Sequence, residues 1–120
     1  MLGHLQRMLA SSGVGATIDA SSVPMLPGVL DHARLDVVPG GTKRNHAYLG
    51  PNVDWGELST PEQLVLADAQ TSGGLLIATL DPERTARELS SRGVGWADIG
   101  LAVEDGPGTI VVTGRLARGA

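Results

Sequence analysis

Two short segments of this 120-residue chain concentrate residue types that bind anions. The first is Pro39-Gly40-Gly41-Thr42-Lys43-Arg44-Asn45. It joins adjacent glycines to a hydroxyl, an amide and two cations, one of them the only lysine. Adjacent glycines let backbone N–H groups turn toward an anion, and Lys43 or Arg44 adds positive charge. The plainer alternative is a surface turn with solvated charges, because glycine turns are common in loops. The second segment, Asp68-Ala69-Gln70-Thr71-Ser72-Gly73-Gly74, sets two hydroxyls before two glycines. That order suits close approach of a ligand to the backbone. A tight helix-to-strand turn with positive φ at glycine explains it equally well. It is not a Walker loop, since no lysine follows the glycines and a strand, not a helix, is expected next. The candidate substrate- or anion-binding residues are therefore Thr42, Lys43, Arg44, Asn45, Thr71, Ser72, Gly73 and Gly74. Their expected role is to shape a pocket through amides and hydroxyls. No catalytic residue and no metal ligand is assigned.

Other chemistries find less support. His4, His32 and His46 form no close pair of the kind a zinc site needs, and each reads as a structural histidine. No Gly-x-Ser-x-Gly elbow supports a serine nucleophile. The chain has no cysteine, which excludes disulfides, thiolate metal sites and a cysteine nucleophile. Asp19 and Asp68 are the carboxylates nearest the two segments, and no sequence spacing pairs them. Trp55 and Trp96 read as core or rim packing rather than as stacking platforms.

The elements that must position these residues follow from periodicity. Leu2 to Ser12 predicts a helix with Leu2, Leu5, Met8 and Leu9 inward and Gly13 as its stop. No capping residue precedes it. Gly15 to Ala20 alternates as a strand. Pro27 to Leu35 predicts a short helix with Leu26, Leu30 and Ala33 inward. Val38 to Thr42 reads as a turn, and Lys43 to Leu58 as loop with at most a helical turn. Ser59-Thr60-Pro61-Glu62 is a capping box opening a helix to about Ala67. Leu75 to Leu80 is a continuous apolar run, read as the central strand. Asp81-Pro82-Glu83 opens a helix to Ser91, with Gly93 as its stop. Ala97 to Val103 and Thr109 to Thr113 are strands, predicted to form a hairpin, and Arg115 to Ala120 reads as a fraying tail. This order predicts an α+β domain, one mixed β-sheet with flanking helices.

Composition sets the outer limits. One domain is expected at this length, large enough for a core without staples. Hydrophobic residues make up 42% and charged residues 18%, which argues against wholesale disorder. With three aromatic side chains and no phenylalanine, the core must be aliphatic. The formal net charge of -4 argues against a nucleic-acid partner, which needs a positive field. No apolar run reaches the roughly 20 residues of a membrane span, and the N-terminus lacks a signal-peptide layout, so a cytoplasmic location without a membrane partner is expected.

Five stretches together carry a family resemblance: Leu2-Gly3-His4-Leu5, Ser12-Gly13-Val14-Gly15-Ala16, Val23-Pro24-Met25-Leu26-Pro27-Gly28, Val38 to Asn45, and Gln70-Thr71-Ser72-Gly73-Gly74-Leu75-Leu76. In order and spacing they resemble the carboxy-terminal half of selenide, water dikinase (selenophosphate synthetase). The Pro-Gly-Gly-Thr-x-Arg-Asn and Gln-Thr-Ser-Gly-Gly segments are specific in combination. They favour this branch over the hydrogenase-maturation, thiamine-phosphate kinase and purine-synthesis relatives of the superfamily. The resemblance implies the carboxy-terminal domain fold of aminoimidazole ribonucleotide (AIR) synthetase-like proteins, with α/β/α layers. It also implies a reaction that converts ATP, selenide and water to selenophosphate, AMP and phosphate, with magnesium.

Departures from the family qualify that expectation. The family's amino-terminal domain carries the reactive cysteine or selenocysteine, the catalytic lysine and most metal-binding aspartates, and none of it is matched here. The family's Asp-Val-Thr-Gly-Phe-Gly segment would fall just before Leu2, which accounts for the uncapped first helix. Ala69 stands where the family usually has proline. Phosphoryl transfer depends on metal and cations to position and neutralise charge. The chain is accordingly expected to be a truncated carboxy-terminal domain, inactive alone and binding no magnesium or ATP by itself. Its expected partner is the missing amino-terminal domain or a homodimer mate. The alternative is a non-catalytic anion- or nucleotide-binding or dimerisation module.

Overall fold

The computed structural model describes residues 1–68 and 74–117. Helix α1 (Leu2–Ser12) buries Leu2, Leu5, Gln6 and Leu9 along one stripe. Gly13 closes it in the left-handed conformation at φ 69°, as glycine allows at little cost. Met8, expected inward, is 40% exposed, because a period of 3.6 carries it off the Leu2–Leu5–Leu9 stripe. α1 has no side-chain cap at its start. Strand β1 (Gly15–Asp19) follows, and Asp19 then caps a 3-10 turn at Ala20–Ser22. Helix α2 spans Val29–Arg34, with Ala33 buried but Leu26 exposed ahead of it, contrary to expectation.

The largest local departure is α3 (Gly40–Leu49), which fills a stretch read as turn and loop. Pro39 sits at its N-cap in extended conformation, and the N–H groups of Thr42 and Lys43 both reach the Pro39 carbonyl. The paired glycines therefore belong to a first helical turn. Their poor helix propensity hid a helix that tertiary packing holds in place. A two-residue strand, β2 (Val53–Asp54), follows. Helix α4 (Thr60–Leu66) begins with the expected capping box between Ser59 and Glu62. Helix α5 (Pro82–Ser91) starts at the expected Asp81 cap, and strands β3 (Gly100–Val103) and β4 (Ile110–Thr113) complete the fold.

The sheet is mixed and four-stranded, in the order β2-β4-β1-β3. β1 pairs parallel with β4 and antiparallel with β3, while β2 pairs parallel with β4. The expected β3–β4 hairpin is absent, because β1 inserts between the two strands. Thr17 faces Leu101 on one side and Val111 on the other. The core gathers Leu2, Leu5, Leu9, Ile18, Leu49, Leu66, Ile110, Val112 and Leu116 between α1, the sheet, α3 and α4.

Leu75 to Leu80 is not a strand. Both sides of β1 are taken by β3 and β4, so the sheet centre lies elsewhere. Leu75, Ile77 and Leu80 are exposed, and only Leu76 packs against the core. No residue from 74 to 107 is buried. Leu116, by contrast, is buried, so the start of the expected fraying tail is docked.

Candidate functional site

Helix α3 sorts the first candidate segment into two faces. Thr42, Asn45, His46 and Leu49 recur at the three- and four-residue spacing of one helical face. Thr42 is buried, and its Oγ1 donates to Asp68 Oδ1 at 2.6 Å. Asn45 Nδ2 donates to the Ala67 carbonyl at 3.3 Å, and His46 Nε2 lies 2.8 Å from Gln63 Oε1. His46 also meets Trp55, ring centroids 5.5 Å apart. Lys43 and Arg44 lie on the exposed side. Lys43 Nζ pairs with Asp36 Oδ1 at 2.9 Å, and the Arg44 guanidinium folds back toward Gly40.

The structure thus places Thr42 and Asn45 against the end of α4, and Lys43 and Arg44 toward solvent. Of the candidate residues in the second segment, Gly74 is described, exposed, at φ 71°. Thr71, Ser72 and Gly73 lie outside the described residues. Asp68, the first residue of this segment, is held by Thr42 from the first segment. Sequence spacing could not find that link. It joins positions 26 residues apart and depends on α3 being helical.

Asp19 and Asp68, the two carboxylates singled out from the sequence, have structural partners. Asp19 Oδ1 accepts from the N–H and hydroxyl of Ser21, and its Oδ2 accepts from Ser22 Oγ. The hydroxyl hydrogen bonds from Ser21 and Ser22, with the Ser21 N–H, hold the Asp19 carboxyl below its ordinary value. Among the described residues no group of three His, Asp or Glu side chains is arranged to hold a metal ion. No chemical step is therefore routed through a metal ion held by the described residues.

A second polar centre lies at Glu62, which the sequence marks only as a cap. Its side chain is buried and faces the Arg115 guanidinium, with Nε at 2.8 and 3.0 Å from the two carboxylate oxygens. The Leu116 N–H donates to Oε2 at 3.1 Å, and Ser59 donates through both N–H and hydroxyl. Arg115 is the main cause that brings the Glu62 carboxyl down to about 2, against an opposing push from burial. This clasp ties the chain after β4 to the start of α4. Its residues face each other rather than a pocket.

Mixed sheet, flanking helices and the paired glycine segments are features of one domain family, and comparison with known proteins agrees. The AIR synthase related protein, C-terminal domain, matches residues 1–113. The chain belongs to that family. A selenide, water dikinase of Carboxydothermus hydrogenoformans is 42% identical over 115 residues, covering 93% of this chain and 33% of the relative. Selenide, water dikinases of Escherichia coli O139:H28 and Shigella flexneri are each 45% identical over 80 residues, covering 67% of this chain and 22% of theirs. The chain thus spans a third or less of the length of these relatives. The resemblance to the carboxy-terminal domain of selenophosphate synthetases, read from the motifs, is borne out. Among the described residues no helix is long and apolar enough to cross a membrane.

Proposed function

We propose that this domain serves the selenide, water dikinase reaction, in which ATP, selenide and water give selenophosphate, AMP and phosphate. Its part is to shape the substrate pocket, with Lys43, Arg44, Thr71, Ser72, Gly73 and Gly74 as the residues that contribute binding groups. Magnesium, ATP and the group that activates selenide are supplied by an amino-terminal domain, and this chain alone does not turn over. The location is cytoplasmic, where the reaction's ATP is available. The observation that carries the reading is 42% identity to a selenide, water dikinase over an alignment that covers 93% of this chain. The absence of cysteine and the single lysine support the division of labour.

Phosphorus NMR under reducing, anaerobic conditions tests it. The chain alone, with ATP, magnesium and selenide, is expected to leave ATP unchanged. A full-length chimera, in which this chain replaces the matching third of the Carboxydothermus hydrogenoformans relative, is expected to form selenophosphate and AMP. Selenophosphate from the chain alone overturns the proposed division of labour. A folded but inactive chimera overturns the proposed reaction in favour of a non-catalytic binding or dimerisation module.

A further inference from the structure

Thr42 combines a polar side chain with near-complete burial, at 1% exposure. The side chain is therefore turned away from solvent. The hydroxyl donates to the Asp68 carboxylate, a charge-assisted hydrogen bond of the stronger kind. Three residues on, Asn45 donates to the carbonyl of Ala67, next to Asp68 in the chain. Two side chains of one helical face therefore grip two successive residues where α4 ends. Ala67 and Asp68 have their own N–H groups bonded back to Gln63 and Val65, so the gripped backbone is a closed helical terminus.

We infer that Thr42 and Asn45 are positioning residues: they set the α4 exit at Ala67–Asp68 and do not themselves touch substrate. The inference rests on the proposed reaction for its catalytic consequence and on geometry alone for the clamp. It divides the glycine-rich segment by helical phase. The buried face carries placement, and the exposed face, Lys43 and Arg44, is left for contact with a ligand. An apolar side chain of the same shape at position 42 leaves the Asp68 carboxylate without this donor, an unfavourable outcome for a partly buried charge. Serine keeps the donor.

Two measurements test it. On the 120-residue chain, hydrogen exchange is read at the Ala67 and Asp68 amides. Thr42→Val is expected to accelerate both by roughly tenfold while β1 and β4 keep their protection, and Thr42→Ser is expected to restore the native rates. Unchanged exchange at Ala67 and Asp68 in Thr42→Val overturns the clamp. In the full-length chimera, Thr42→Val is expected to lower kcat roughly tenfold with KM for ATP within about twofold, and Thr42→Ser to recover kcat. A raised KM at native kcat places Thr42 in contact with substrate and overturns the positioning role. If Thr42→Val does not fold, Asn45→Ala carries the same expectations at Ala67 and in kcat, since Asn45 is only partly buried. An inactive chimera counts against the proposed reaction, and the exchange measurement still decides the clamp.

Discussion

Glu62 shows how one side chain can hold two parts of a fold together. Its carboxylate accepts from Arg115, from the Leu116 N–H and from Ser59, and it is almost wholly buried. A buried carboxylate with these donors stays ionised, so its carboxyl lies at about 2 in the folded chain against an ordinary value near 4.5. Because the folded value is depressed, the stabilisation is complete above the unfolded value. It is lost as pH falls from about 5 toward 2. The difference corresponds to about 3 kcal/mol. Urea denaturation at pH 7, 4 and 3 is expected to show this loss, and Glu62→Gln is expected to flatten the pH dependence over that window. Arg115→Met leaves the buried carboxylate without its main partner and is expected to lower stability at pH 7, read from the urea midpoint. A midpoint shift near zero would show that Leu116 and Ser59 suffice to hold the charge.

At the scale of elements, local signals and tertiary context part company. The Ser59–Glu62 capping box was legible because capping is a matter of four consecutive residues. Ser59→Ala is expected to lower stability by about 1 kcal/mol in thermal melts. Strand β3 depends on a glycine instead. A Cβ at Gly100 would run into the Thr17 carbonyl oxygen and the Ile18 side chain of β1. Gly100→Ala is therefore expected to cost about 1–3 kcal/mol, and to raise amide exchange in β3 more than in β4. Equal loss across the sheet would mean that β3 and β4 open as one unit. Helix α3 is the opposite case. Gly40 and Gly41 weaken its local signal, yet the helix forms because Thr42 and Leu49 are buried beneath it and Asn45 and His46 bond to α4.

For the whole molecule, both ends of the chain build the core, and the stretch 74–107 stays outside it. Leu2, Leu49, Leu66, Ile110 and Val112 are almost fully buried, whereas residues 74–107 contribute none that is buried. Leu75, Ile77, Leu80, Trp96 and Leu101 are exposed apolar side chains within that stretch. Exposed apolar surface on this scale favours dye binding and self-association. The chain is expected to enhance anilinonaphthalene sulfonate fluorescence at neutral pH without loss of secondary structure. Ile77→Lys together with Leu80→Lys is expected to reduce that signal. Unaltered fluorescence in the double variant would move the apolar surface elsewhere on the molecule.

By itself the sequence determined what rests on neighbouring residues: α1 and its Gly13 stop, β1, the capped starts of α4 and α5, β4, and the family to which the chain belongs. Those features depend on side-chain periodicity, caps and glycine φ, all set within a few positions. Only the tertiary structure decided that β1 separates β3 from β4, that Leu75 to Leu80 stays out of the sheet, and that Gly40 to Leu49 is helical. It alone brought Thr42 to Asp68 and Arg115 to Glu62. Each of these turns on which distant surface is available to accept a strand, a helix face or a charge. An apolar run such as Leu75 to Leu80 signals a need for burial, but it does not carry the identity of the partner that would provide it.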